Sequence, residues 1–139
     1  EVAQFSAEGA DALGVNETEE PKSIVTAIGN YVSEQRVNVQ QAAEDDYAWL
    51  ILSMAYLWGN QVCRAYKWEW VKLVYDGGES KAIVSPNRAF AVYPLPFIKE
   101  LVDDPEREST IVLLFNMLEG QFLESQFPQG KAGKYMTLG

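Results

Sequence analysis

The sequence predicts an α+β domain, and three observations carry that prediction. Apolar residues keep helical spacing from Tyr47 to Ala65, the period turns strand-like between Trp68 and Tyr93, and helical spacing returns after Pro94. The implied order is α-α-β-β-β-α-α: two N-terminal helices, a three-stranded antiparallel meander, and two C-terminal helices packed on the sheet. A chain of 139 residues suits one domain. Residues 1–20 are expected to form an acidic flexible arm, 21–127 a single domain, and 128–139 a flexible tail.

The arm is rich in Ala, Gly, Glu and Asp, with Phe5 and Leu13 its only large apolar groups apart from valines. Pro21 then suits the first turn of a helix. Ile24, Val25, Ile28, Tyr31 and Val32 share one face of that helix, which is expected to end near Arg36. Glu44, Asp45 and Asp46 open the next helix, where free N–H groups favour negative charge. Its apolar residues cover much of its girth, so it is expected at the centre. Gly59 inside it costs about 1 kcal/mol relative to Ala, which implies close approach of another backbone there. Cys63, one turn on, reads as a small buried hydrophobe.

Trp68 to Tyr75 is dominated by aromatic and β-branched residues, and Asp76-Gly77-Gly78-Glu79 follows as a turn. Lys81 to Ser85 reads as a second strand, Pro86-Asn87-Arg88 as a turn, and Ala89 to Tyr93 as a third strand. Phe97, Ile98 and Leu101 suggest a short helix. Asp104 with Pro105 suits the start of another, whose face would hold Ile111, Leu114, Phe115, Leu118 and Phe122, widened by Val112 and Leu113. A strand over Thr110 to Phe115 is the competing reading.

Composition excludes several functions. There is no histidine, which removes the usual general base near neutral pH, the Ser-His and Cys-His pairs, and the commonest zinc ligand. One cysteine permits neither an internal disulfide nor a thiolate cluster. Carboxylate chemistry alone remains open, and no cofactor is expected. The net charge is −9; residues 1–20 hold six acids and no base. Without a basic stripe, nucleic acid and anionic membrane are poor partners. A basic protein partner would be steered by the acid, although solubility alone also explains it. No apolar run is long enough to span a membrane and no signal segment is visible, so a cytoplasmic location is expected.

The most unusual local feature is Trp68-Glu69-Trp70, with Trp58 and Tyr66 upstream. Strand alternation puts Trp68 and Trp70 on one face and Glu69, Val71 and Leu73 on the other. An aromatic platform beside a carboxylate can hold a ligand or a partner's side chain. Packing of both rings on the central helix is the plainer account, since burying one contributes roughly 4–5 kcal/mol at most. Glu69, set among large apolar groups, would need Lys72, Lys81 or Arg88 as partner if covered. The candidate binding residues are therefore Trp68, Glu69, Trp70, Lys72 and Arg88. Other motifs carry less. Capping explains Glu44 to Asp46, and a hairpin turn explains Asp76 to Glu79. Gly130-Lys131-Ala132-Gly133-Lys134 lacks the spacing and hydroxyl of a phosphate loop, with Tyr135 where Ser or Thr belongs.

Leu57-Trp58-Gly59-Asn60-Gln61-Val62-Cys63, followed by Trp68-Glu69-Trp70-Val71 and by Tyr93-Pro94-Leu95, resembles a group of small bacterial proteins of unknown function, the DUF3806-like domains. The likeness covers about Asp46 to Leu118 and implies a helix with an internal glycine, a Trp-x-Trp strand and a Pro-Leu helix. It implies no catalytic residue. In size and charge the chain is also similar to immunity proteins, which neutralise toxins. The expected function is a non-enzymatic bacterial protein-interaction domain of immunity or antitoxin type, binding a basic toxin or effector, with a homodimer also open. The alternative is a small-ligand binding module built on the Trp-rich sheet.

Overall fold

The computed structural model describes residues 2–40, 43–75, 77–104, 110–118 and 136–138. Their order is α1 (Val2–Leu13), α2 (Pro21–Gln40), α3 (Glu44–Tyr66), β1 (Glu69–Tyr75), β2 (Gly78–Val84), β3 (Phe90–Val92), α4 (Pro94–Asp103), α5 (Ile111–Met117) and β4 (Met136–Leu138). The class is α+β, as expected, with the antiparallel meander β1-β2-β3 at its heart.

α3 is the central element. Its first turn carries Glu44, Asp45 and Asp46, and every residue from Ser53 to Gly59 is buried. A helix buried over two consecutive turns is enclosed on all sides. α1, α2 and α4 flank it. It ends where Lys67 takes the left-handed conformation, φ 62°, and its N–H donates to the Cys63 carbonyl at 3.0 Å. Trp58, wholly buried, donates from Nε1 to the Ile111 carbonyl at 3.2 Å and meets Phe97 at a centroid distance of 5.0 Å. One side chain thus ties α3 to α4 and α5. At the other end of α4, Asp103 accepts from Lys99 at 2.6 Å and from the Tyr47 hydroxyl near the start of α3. Those two donors, Lys99 first, hold the Asp103 carboxyl below the ordinary range.

Three expectations are corrected. The N-terminal arm is instead a third N-terminal helix, α1, which buries Ser6, Gly9 and Ala10. Its contact with α3 uses small residues: a Cβ built on Gly9 would stand 2.8 Å from the Ser53 carbonyl oxygen. Hydrophobic periodicity is weighted by large side chains, so a helix that docks through its backbone escapes it. The C-terminal tail is corrected in part. Residues 128–135 lie outside the described residues, but Met136–Leu138 pairs in parallel with β3 as a fourth strand, Phe90 opposite Met136 and Val92 opposite Leu138. The C-terminal helices do not take the sheet as their main support. α4 packs on α3 and α2, and α5 on α2, because Phe97, Ile98, Leu101 and Val102 fill the space between those helices.

Smaller differences follow. α2 starts at Pro21, as expected, and runs past Arg36 to Gln40. Thr110 precedes a helix, not a strand, while Leu113 on that helix is 57% exposed instead of widening its buried face. Asp104 caps the C-terminus of α4, its N–H donating to the Glu100 carbonyl. Pro105, Phe122 and Gly130 to Lys134 lie outside the described residues. No helix among the described residues is long and apolar enough to cross a membrane.

The docking of α1 is testable. Gly9→Leu forces a branched side chain into the Ser53 backbone and is expected to destabilise the fold by about 1–3 kcal/mol in chemical denaturation. A free arm would leave the midpoint unchanged.

Candidate functional site

β1 and β2 bring six side chains to one face of the sheet. Alternation along β1 places Trp70, Lys72 and Val74 together, and antiparallel register sets Ile83, Lys81 and Glu79 directly opposite them. Tyr56 of α3 stands beneath, and Leu95-Pro96 of the first turn of α4 forms a wall. Trp70, Lys72, Glu79 and Lys81, with Ser80, Tyr56, Leu95 and Pro96, line an open cleft of about 390 Å³.

Trp70 is held firmly in it. Its Nε1 donates to Asn60 Oδ1 at 2.8 Å. Its benzo edge lies over Gly59, where a built Cβ would come within 2.5 Å of Cζ2 and 2.7 Å of Cη2, and 3.3 Å from Pro94 Cγ. The helix glycine therefore admits an indole ring, not another backbone as expected. Trp70 also meets Tyr56 edge-on, 5.5 Å between centroids at 78°. Tyr56 is in turn contacted by Phe5 of α1 at 5.6 Å, and the Lys81 ammonium lies 5.6 Å from its centroid. Lys72 Nζ is 3.4 Å from Glu79 Oε1, and both side chains are more than half exposed.

The five expected residues separate into three groups. Trp70 and Lys72 line the cleft. Trp68 is 4% exposed and belongs to the core. Its Nε1 is buried with no hydrogen-bond partner among the described residues. Glu69 and Arg88 form an ion pair at 2.7 Å, with side-chain exposures of 65% and 47%. Glu69 lies on the sheet face opposite Trp70. Such an exposed pair contributes about 0–1 kcal/mol and leaves no buried charge to explain. Tyr56, Glu79, Lys81, Leu95 and Pro96 were not expected at the site. Register after the hairpin places Lys81 and Glu79, and could have found them; nothing local reveals the approach of Tyr56 or Leu95.

Other candidate groups are placed elsewhere. Glu44, Asp45 and Asp46 are all exposed, and no three His, Cys, Asp or Glu side chains among the described residues stand together as metal ligands. Asn16 Oδ1 accepts from the Thr18 N–H and hydroxyl at 2.9 and 2.8 Å, a local turn. Cys63 is half-buried. Burial first, then the Glu69 charge, pushes its thiol from 9.0 up to about 12. It is no thiolate nucleophile at neutral pH.

No family model matches the chain, and neither a curated protein nor a solved structure matches it. The likeness to the DUF3806-like domains thus rests on the residues quoted for it.

Two outcomes are expected. In Gly59→Ala the gain in helix propensity, about 1 kcal/mol, is outweighed by displacement of the indole. The variant should lose about 1–2 kcal/mol net, and the Trp70 Nε1–H resonance should move; an unchanged resonance would refute the contact. For Cys63, a thiol raised to about 12 loses its neutral form only as pH climbs from 9 towards 12. Alkylation at pH 8 should therefore run at least ~100-fold slower in native protein than in denatured protein. Equal rates would show an activated thiol.

Proposed function

We propose that the protein is a non-catalytic binding domain that takes a small ligand in the cleft beside Trp70. One observation carries this reading: Trp70 is locked by Gly59 and Asn60 while it remains only half-buried and lines an open cleft of about 390 Å³. That volume falls within the ~300–1,000 Å³ of small-molecule sites. A rigid ring costs little entropy to bind against, because its rotamer is already fixed. The chain's lack of histidine and the protonated Cys63 argue against acid–base or nucleophilic chemistry here.

The reading as an immunity-type protein for a basic toxin or effector rests on the missing histidines, the lack of a catalytic motif and the excess of acid, six residues of which lie in 1–20. Three of those acids are engaged within the fold: Glu8 accepts from Trp49 Nε1, Glu17 from the Ser6 hydroxyl, and Glu19 from the Asn16 N–H. Those hydrogen bonds hold the three carboxylates in place within the N-terminal segment, which favours the cleft as the proposed binding site.

The test is a panel of small metabolites read by thermal shift, repeated on Trp70→Phe. A true ligand should raise Tm of the wild-type protein, and its affinity should fall at least about fivefold in the variant, from lost ring area. A panel that leaves Tm untouched, or binders indifferent to Trp70, would defeat the proposal.

A further inference from the structure

One pair of side chains in the cleft has hydrogen-bonding capacity that the fold leaves unused. Lys72 and Glu79 are diagonal neighbours on the cleft face, since Lys72 is opposite Lys81 and Glu79 opposite Val74. Their approach of 3.4 Å exceeds the about 2.8 Å of a charge-assisted hydrogen bond. Neither has another hydrogen bond or ion pair among the described residues, and both are more than half exposed. An ammonium that only donates thus stands beside a carboxylate that only accepts. Lys81 takes no part: it is engaged at the Tyr56 ring and in a further contact. The aromatic side of the cleft is one-faced. Its two rings, Trp70 and Tyr56, meet edge-on at 78°, so neither lies parallel to the other. The indole N–H is already given to Asn60, which leaves Trp70 only its π surface to offer. The wall is aliphatic, made by Leu95 and Pro96.

Building on the binding reading above, we infer that the ligand is a neutral pyranose sugar. Its C–H face lies on the Trp70 indole beside Leu95 and Pro96, and adjacent ring hydroxyls bridge Lys72 and Glu79. Three features select that chemistry. A hydroxyl both donates and accepts, so one accepts from the Lys72 ammonium while it or its neighbour donates to the Glu79 carboxylate. A charged ligand is disfavoured, because an anion meets Glu79 and a cation meets Lys72, each a like charge. A zwitterion avoids that clash but gains little from ion pairs at such exposure, whereas hydroxyls bonded to charged groups gain more. A flat base is held best between stacked rings, which this cleft lacks; a pyranose needs one aromatic face, whose negative π surface attracts its C–H groups. The open mouth keeps the remaining hydroxyls in water.

The experiment titrates ¹⁵N-labelled protein with the methyl pyranosides of glucose, mannose and galactose. Glucuronate, glucosamine, phenylalanine and adenosine are the anionic, cationic, zwitterionic and flat-ring comparisons. Binding is read at the Trp70 Nε1–H resonance, identified from Trp70→Phe. At least one pyranoside is expected to move it, with an affinity that added salt leaves unchanged. Lys72→Ala and Glu79→Ala should each weaken that pyranoside at least about fivefold. The sign at Glu79 is diagnostic, since its removal would tighten an anion instead. Both positions are exposed at the cleft surface, and circular dichroism checks that the variants fold. Any of the four comparison compounds binding more tightly than every pyranoside overturns the sugar assignment and leaves the binding reading standing. A pyranoside indifferent to both alanine variants overturns the bridge between Lys72 and Glu79. A resonance that no pyranoside moves overturns the sugar assignment, and the binding reading itself falls only if the wider metabolite panel also leaves Tm untouched.

Discussion

The indole of Trp70 rests on α3 at Gly59, and the arrangement of helices and sheet follows from that contact. Three elements converge there: β1 supplies the ring, α3 the bare backbone and the Asn60 acceptor, and α4 the Pro94 ring. The magnitudes explain why a glycine is kept inside a helix. Its propensity cost is about 1 kcal/mol, whereas covering even half of an indole contributes roughly 2–3 kcal/mol. A β-carbon at this position would stand 2.5 Å from the ring and force it outward. The same contact fixes the cleft floor, so fold and candidate site depend on a single packing decision.

A second close approach organises the other side of α3. At Gly9, α1 comes near enough for a β-carbon to strike the Ser53 carbonyl. Helices that meet through small residues gain little transfer free energy per side chain, but they place many backbone atoms at favourable dispersion distance. Phe5 then reaches Tyr56, which touches Trp70. A segment that sequence patterning assigns to solvent is thus one ring away from the cleft.

The legible parts of the fold were those with a strong period. α3, the two hairpins and the face of α2 are written in spacings of large apolar residues and in turn chemistry. α1 was hidden because its contact residues are Ser, Gly and Ala. β4 was hidden because three residues carry no period, and because a parallel pairing with β3 joins segments far apart in the chain. At the site, alternation correctly put Trp70 and Lys72 on one face. It could not give depth: Trp68, just past the end of α3, is enclosed, while Trp70 two residues on is half-buried. Glu69 was legible as a residue needing a cation, and Arg88 meets it, but in solvent, where the pair is not a site. Tyr56, Leu95 and Pro96 reach the cleft through tertiary packing, which local spacing does not encode.

Whole-chain charge and local contacts point to different partners, and distance decides between them. The net charge of −9 favours a cationic partner only over the range at which the summed field survives. At physiological ionic strength that range is about 8 Å, and several of the N-terminal acids already hold donors within the fold. Lys72 and Lys81 act at contact distance, on one face, beside a fixed aromatic ring. Glu79 approaches Lys72 at 3.4 Å, and the Lys81 ammonium lies by the Tyr56 ring. The proposed binding at the cleft therefore turns on short-range contacts around a fixed indole, not on the charge of the whole chain.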